Sequence, residues 1–262
     1  MRTEGNGLFA QQRHQAIVQK LEREKSVKAS ELIELFGVSF ETIRRDLEHL
    51  EAQGALKRVH GGAISNELDY SREIPLPVRE TAFRKEKSEL AEIASRYVSE
   101  GQSIAMDVST TNTEFAKLLK TKFERLTVIT NSLPIANVLV DMPHYTIVLI
   151  GGVIRNAEQS VIGDLAEQFA ARFHPDLFFM SMSGVTIAEG ITDFGIGEIQ
   201  VKKTMLRNAK RTIALADSSK FDCVSLTKIC GAGEVERFVT DPGIDRAIVE
   251  RYARHGIEIV FE

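Results

Sequence analysis

The chain has 262 residues, 43% of them hydrophobic and 27% charged, with a formal net charge of −4. That composition sets aside disorder, a fibre and a protein that coats nucleic acid indiscriminately. The charge is uneven: through Ala63 ten lysines and arginines stand against nine acids, and the remainder carries a net −5, so a near-neutral head with its cations gathered on one face precedes an acidic body.

Met1 to Ala10 holds Glu4, Asn6 and two glycines where a secretion signal needs an unbroken apolar run, so a cytoplasmic location is expected. Gln11 to Arg23 places Ile17 and Leu21 four apart with Val18 beside them, which is helical spacing, and Val27 opens a short strand. Ser30 to Phe36 reads as a second helix, and Gly37-Val38-Ser39 as a tight turn whose glycine takes the left-handed conformation. Ser39 then caps a third helix, because its hydroxyl can accept from a first-turn amide, and Glu41 lies where the helix dipole favours an anion. Ile43, Leu47 and Leu50 share one apolar face, Arg45 and Glu41 point almost opposite, and Thr42 and Arg44 lie on the flanks. Gly54 ends this helix, and 55–63 reads as a two-stranded wing carrying Lys57, Arg58 and His60. Together these form a helix-turn-helix pattern, although an ordinary amphipathic hairpin with a solvated charged face has the same spacing.

Val38-Ser39, Thr42 to Leu47, Leu50-Glu51, Gly54, Arg58 and His60-Gly61-Gly62-Ala63 resemble the winged-helix signature of the DeoR family of bacterial transcriptional regulators. The resemblance implies that Ser39, Thr42, Arg44 and Arg45 meet operator DNA, with Lys57, Arg58, His60, Gly61 and Gly62 in the wing. Asp46, beside the arginines, is expected to be an internal brace. One winged helix reads too few base pairs to be specific in a genome, so a homo-oligomer, dimer or tetramer, is expected. Lys28 stands where the family usually has a serine-like cap, which leaves Ser30 or solvent to serve the first amides of the second helix.

Residues 65–77 lose all periodicity and include Pro75 and Pro77, marking a linker between a domain at 9–64 and one at 78–262. A helix is expected from Val78, with Phe83, Leu90, Ile93, Ala94 and Tyr97 as its apolar positions. Strands follow at 103–108, 126–130, 146–150, 177–182, 212–216, 237–240 and 258–261, and helices near 113–119, 134–140, 165–173, 198–209 and 245–255. This alternation predicts an α/β fold with a mainly parallel sheet. The apolar run at 146–154 is interrupted by Gly151-Gly152 and is far short of the roughly 20 residues of a membrane span. Cys223 and Cys230 have no histidine nearby and read as thiols rather than a metal site.

Ligands of open α/β sheets bind at the carboxyl edge. There Asp107-Val108-Ser109-Thr110-Thr111 runs from a strand end into a helix start and suits a phosphate, although a plain capped turn fits as well. Asn131-Ser132 and Gly151-Gly152 repeat the pattern at the next two strand ends. Further on, Asp193, Glu198, Lys202, Asp217 and Lys220 supply charge. Glu198 and Lys202 share a helix face, where a surface ion pair worth about 0.3–0.5 kcal/mol is the simpler alternative.

Asp107 with Ser109-Thr110-Thr111, Thr130-Asn131-Ser132, Gly151-Gly152, Gly163, Gly190-Ile191-Thr192, Glu198 with Lys202, and Ala216 to Phe221 resemble the DeoR-family C-terminal sensor domain. That domain is similar in fold to ribose-5-phosphate isomerase and CoA transferases, and in the family it binds phosphorylated sugar-pathway intermediates. The resemblance implies effector contacts from Asp107, Ser109, Thr110, Thr111, Asn131, Ser132, Gly151, Gly152, Asp193, Glu198, Lys202, Asp217 and Lys220. Ser109 replaces the usual glycine, and Phe194 to Gly197 replaces a segment that usually contains asparagine. The expectation is a non-enzymatic repressor of a carbohydrate-utilisation operon, released from DNA by a phosphorylated sugar, with no cofactor, metal or membrane partner. The alternative is a sugar-phosphate isomerase fused to a DNA-binding head, with Glu198, Asp107 and Asp193 as candidate bases.

Overall fold

The computed structural model describes residues 10–24, 26–59, 62–64 and 74–262. The chain divides into two units, Met1–Asp69 with Pro77–Arg84, and Tyr70–Leu76 with Lys85–Glu262. Residues 78–84, assigned by sequence to the second domain, therefore group with the first.

The first unit contains α1 (Ala10–Glu24), β1 (Ser26–Lys28), α2 (Ala29–Phe36), α3 (Phe40–Ala52), β2 (Lys57–Val59) and β3 (Gly62–Ile64). Its strands form an antiparallel sheet in the order β1-β3-β2. The apolar stripes of the three helices meet in one core of Ile17, Leu21, Leu32, Phe36, Ile43, Leu47 and Leu50, closed by Val27 and Leu56. The Ser39 cap forms as expected, with its Oγ accepting from the Thr42 amide at 3.2 Å. Ser30 does not cap α2: the cap position is Lys28, which makes no side-chain cap bond. At Gly62 a Cβ would stand 2.0 Å from the Val27 carbonyl oxygen, so only glycine lets β3 lie against β1.

Next in sequence come α4 (Leu76–Thr81) and α5 (Arg84–Ser95). They replace the single helix expected from Val78, because Phe83 adopts φ 54° and a left-handed residue cannot continue a right-handed ladder. The second unit continues with β4 (Ser103–Met106), α6 (Thr110–Lys122), β5 (Thr127–Thr130), α7 (Leu133–Leu139), β6 (Thr146–Leu149), β7 (Val153–Arg155), β8 (Ser160–Ile162) and α8 (Asp164–Ala170). It closes with β9 (Leu177–Ser181), β10 (Gly184–Thr186), β11 (Gly190–Asp193), α9 (Ile196–Asn208), β12 (Arg211–Leu215), β13 (Thr227–Cys230), β14 (Arg237–Val239), α10 (Arg246–Ala253) and β15 (Ile259–Val260).

Every strand expected between residues 103 and 261 joins one seven-stranded parallel sheet, ordered β15-β14-β12-β9-β4-β5-β6. Side chains alternate between its two faces. Ile104, Met106, Leu177 and Phe179 pack with Leu90, Phe115 and Leu119 on one face, while Ala105, Phe178 and Met180 pack with Ile199, Met205 and Tyr252 on the other. Two small antiparallel sheets, β7-β8 and β10-β11-β13, were not expected. The strand order runs outward from β4 in one direction through β5 and β6, and in the other through β9, β12, β14 and β15. The switch point therefore lies between β4 and β9. Among the described residues no helix is long and apolar enough to cross a membrane.

Candidate DNA-reading face and effector site

On α3 the apolar stripe is buried, and Arg44 and Arg45 stand on the outer side with side-chain exposures of 40% and 73%. Glu41 holds both: Arg44 donates to it from Nε at 2.9 Å and Nη2 at 2.8 Å, and Arg45 from Nε at 3.1 Å. These bonds, Arg44's first, pull the Glu41 carboxyl down to about 2. Arg44 also pairs with Glu48, which Arg58 reaches from β2 at 2.9 Å. Arg44, Arg45 and Arg58 are thus partly neutralised within the chain, and Arg45 is the most open of these three. Beneath them Asp46, 5% exposed, accepts from Arg13 Nε at 2.8 Å and Nη2 at 3.1 Å, and contacts His14 Nε2 at 2.8 Å. The expected brace is therefore built from α1 to α3. His60, Gly61 and the side chain of Lys57 lie outside the described residues. A cavity of about 850 Å³ lies between α1 and α3, lined by Gln11, His14, Gln15, His49 and Gln53 among others.

In the second unit, the strand order sets five carboxyl ends side by side: Asp217 after β12, Ser181 on β9, Asp107 after β4, Asn131-Ser132 after β5 and Gly151-Gly152 after β6. At the switch point, Asp107 accepts from the Ser181 amide at 2.8 Å, Ser181 Oγ at 2.6 Å, Asn112 Nδ2 at 2.7 Å and Lys202 Nζ at 2.8 Å. A carboxylate has about four acceptor positions, so Asp107 is filled. Lys202 donates to Asp107, to Asp193 Oδ2 at 2.5 Å and to the Ser181 carbonyl at 2.9 Å, which uses all three ammonium protons. Asp193 accepts further from Ser183 Oγ at 2.6 Å and the Phe194 amide at 2.9 Å.

The three charges respond differently. Asp107, with a side chain 2% exposed, is pushed above the usual carboxylate range by burial, against the pull of Lys202. Burial acts the same way on Asp193, but its side chain is 18% exposed, and Lys202, Ser183 and the Phe194 amide outweigh burial to hold it below that range. Burial disfavours the Lys202 ammonium, yet Asp107 and then Asp193 hold its pKa above the ordinary value.

Ser109 caps α6, its Oγ accepting from the Asn112 amide at 2.9 Å. The Thr110 and Thr111 amides, at the first two helical positions, have no partner among the described residues. Asn131 accepts from the Val108 amide at 3.1 Å and donates from Nδ2 to the Val161 carbonyl at 3.2 Å, while Ser132 caps α7. Gly152 has φ 155°, and a Cβ there would come 2.9 Å from the Ile162 carbonyl oxygen, so glycine lets the chain turn tightly against β8. Asp217 caps a short 3-10 turn through the Ser219 amide at 3.2 Å, and Lys220 is half-buried at the end of that turn.

Glu198 and Lys202 do not form the ion pair that their spacing allows. Both are buried on α9, and Glu198 turns to Arg155 on β7, 3.2 Å away, and to Ser160 Oγ at 2.6 Å. Arg155, Ser160, Ser181 and Ser183 were missed from sequence. Arg155, Ser160 and Ser183 lie in or beside short strands that no periodicity announces, whereas Ser181 ends β9, a strand that was expected but whose last residue carried no sign of its bond to Asp107.

Residues 13–68 match the family described as the DeoR-like helix-turn-helix domain, and residues 82–242 the family described as the DeoR C terminal sensor domain. Over 243 residues the chain is 36% identical to the uncharacterized HTH-type transcriptional regulator YulB of Bacillus subtilis (strain 168), covering 93% of each. It is 31% identical over 250 residues to a putative aga operon transcriptional repressor of Escherichia coli O157:H7, covering 95% of this chain and 93% of that one. Among solved structures, ribose 5-phosphate isomerase A from Methanocaldococcus jannaschii aligns with a TM-score of 0.40 at 16% identity, over 53% of this chain and 55% of that one.

Proposed function

The chain belongs to the DeoR family of DNA-binding transcriptional regulators, and from that premise we propose that it represses a carbohydrate-utilisation operon and leaves its operator when a phosphorylated sugar binds. Thr42, Arg44 and Arg45 enter the major groove or grip its flanking phosphates, with Ser39 at the helix start and Lys57, Arg58, His60, Gly61 and Gly62 holding the backbone through the wing. Two or more copies bind repeated half-sites.

The observation that carries the effector half is the α6 N-terminus at the switch point. Two unpartnered amides, of Thr110 and Thr111, and the Ser109 cap stand there at the positive end of a 13-residue helix, which suits a phosphate. Asn131, Ser132, Gly151 and Gly152 extend this polar rim along the edge. Asp107 and Lys202, with every bonding position used internally, frame the site, and Asp193, more exposed, faces the sugar. Glu198, Asp217 and Lys220 complete it. Release requires the effector to favour the DNA-incompetent arrangement, with a coupling on the order of 1–3 kcal/mol.

Fluorescence anisotropy of labelled DNA from upstream of the protein's own operon tests both halves, with and without a panel of sugar phosphates. Tight, salt-sensitive binding reversed by one phosphorylated sugar is expected. Binding no better than to scrambled DNA refutes the operator reading, and operator binding indifferent to every sugar phosphate refutes the effector reading.

A further inference from the structure

Arg155 stands on β7 with its Nη1 3.2 and 3.3 Å from the two carboxylate oxygens of Glu198, in the first turn of α9. The pair is asymmetric. The Glu198 side chain is 7% exposed and also accepts from Ser160 Oγ at 2.6 Å, whereas the Arg155 side chain is 31% exposed. The guanidinium is therefore the half that an anion from solvent can reach.

The β7-β8 hairpin that carries Arg155 is tied to the carboxyl edge of the large sheet. The Val161 amide donates to the Asn131 carbonyl at 2.8 Å, Asn131 Nδ2 returns a bond to the Val161 carbonyl, and Ser132 pairs with Ser160 in a single β-bridge. Arg155 thus belongs to the same edge as the α6 N-terminus. Lys202 cannot serve as the cation there, because its three protons are already donated inside the fold.

We infer that Arg155 grips the anionic group of the effector, and that Glu198 holds the guanidinium in the effector's absence and is displaced by it. The inference rests on the reading of this edge as a sugar-phosphate site. A phosphate matches the guanidinium fork bidentately and carries more charge than the carboxylate it replaces. Once displaced, Glu198 is a buried carboxylate that has lost its cation, an arrangement that drives the group toward water. The first turn of α9 must move to take it there, while Lys202, one turn further on, stays held by Asp107, Asp193 and the Ser181 carbonyl. Anion binding thus favours one arrangement of α9 over another, which is what a sensor needs.

Isothermal titration calorimetry on the full chain tests this with inorganic phosphate, ribose 5-phosphate, fructose 6-phosphate and glycerol 3-phosphate, using wild type, R155Q, R155K and E198Q. For the probe that binds, R155Q should weaken affinity by about tenfold or more, R155K should retain part of it, and E198Q, which removes the competing charge but keeps the shape, should tighten it about tenfold. A gain of affinity cannot come from misfolding. Wild-type affinity in R155Q overturns the inference, and so does weakened binding in E198Q, which would make Glu198 a direct effector contact. If no probe binds the wild type, the sugar-phosphate reading falls and this inference falls with it. If a probe binds all four proteins alike, the inference alone falls.

Discussion

Replacing Asp46 by alanine should abolish DNA binding through the fold of the reading unit rather than through a lost contact. The Asp46 side chain is 7% exposed and that of Arg13 10%. Two charge-assisted bonds, at 2.8 and 3.1 Å, join them, and His14 contacts the same carboxylate. Removing one partner of a buried pair costs about 3–5 kcal/mol, because the other charge is left in a low dielectric. The His14 side chain, 19% exposed, gives water some access, so about 3 kcal/mol is the expected loss for D46A, with less for D46N, which keeps the shape. A unit of about 60 residues is stable by only on the order of 3–9 kcal/mol, so the substitution removes a large part of what holds α1 on α3. Hydrogen exchange reads this directly: at about tenfold per 1.4 kcal/mol, amide protection around Ile17, Leu47 and Leu50 should fall about a hundredfold. Protection in β9, around Phe178 and Phe179, should not change. Protection in α1 and α3 that falls by less than about threefold would correspond to well under 1 kcal/mol and would refute the brace.

Arg45→Ala gives the opposite pattern. Its side chain is 73% exposed, so unit stability should hold while operator affinity in anisotropy titrations falls by about 1–3 kcal/mol; unchanged affinity removes Arg45 from the reading face. Lys202→Met leaves two buried carboxylates facing each other and should destabilise the second unit by about 3–5 kcal/mol at neutral pH. Calorimetry should show that deficit shrinking on acidification, since Asp107, already pushed upward by burial, takes up a proton; a pH-independent deficit contradicts the charge argument. Asp176 is held at about 2, from an ordinary 3.8, by Lys210 and then Ser103. A lowered carboxyl contributes stability above its unfolded pKa and loses it as pH falls through its folded one. D176N should therefore cost about 1 kcal/mol at pH 7, after allowance for solvent screening, and its Tm should converge with that of the wild type between pH 4 and 2. Parallel curves would refute this assignment.

The inner strands of the large sheet were legible because each is an apolar run buried on both faces, as at Leu177 to Ser181, where every residue is buried, and the edge strand β6, more exposed, was legible as a short apolar run. The α3 stripe was legible for a related reason: Ile43, Leu47 and Leu50 repeat at helical spacing and a capping serine precedes them. The small sheets were not. Val153 to Arg155 and Ser160 to Ile162 are three residues each and carry no alternation, and their pairing depends on how the chain turns at Gly152. Phe83 was equally silent, since nothing in an aromatic residue between helical patterns signals a left-handed backbone. At the candidate site the residue types were legible but their bonding was not. Glu198 and Lys202 sit four apart as a surface pair would, and the approach of β4 and β7, distant in sequence, together with the neighbouring β11, draws them to Asp107, Arg155 and Asp193 instead.

That bonding decides how a phosphate can be held. Asp107, Asp193 and Lys202 sum to one negative charge when all are ionised, at the sheet edge where an anionic effector is expected. Such a cluster repels a phosphate in the low dielectric of a buried site, so Lys202, which the resemblance implies is an effector contact, is poorly placed to hold the phosphate itself. The attraction must come from elsewhere on this edge: the Thr110 and Thr111 amides at the positive end of α6, which have no partner among the described residues, and the guanidinium of Arg155, 31% exposed and held by Glu198. The carboxylate cluster then acts on the other side of the balance. It keeps α9 pinned to β4 and β11 through Lys202, so that an anion which pulls Arg155 from Glu198 at the start of α9 works against a fixed point one turn away. A helix held at one turn and released at the turn before it pivots. A pivot at the effector edge, rather than a new contact with DNA, is the kind of movement by which an effector-binding unit can lower the affinity of a separate reading unit.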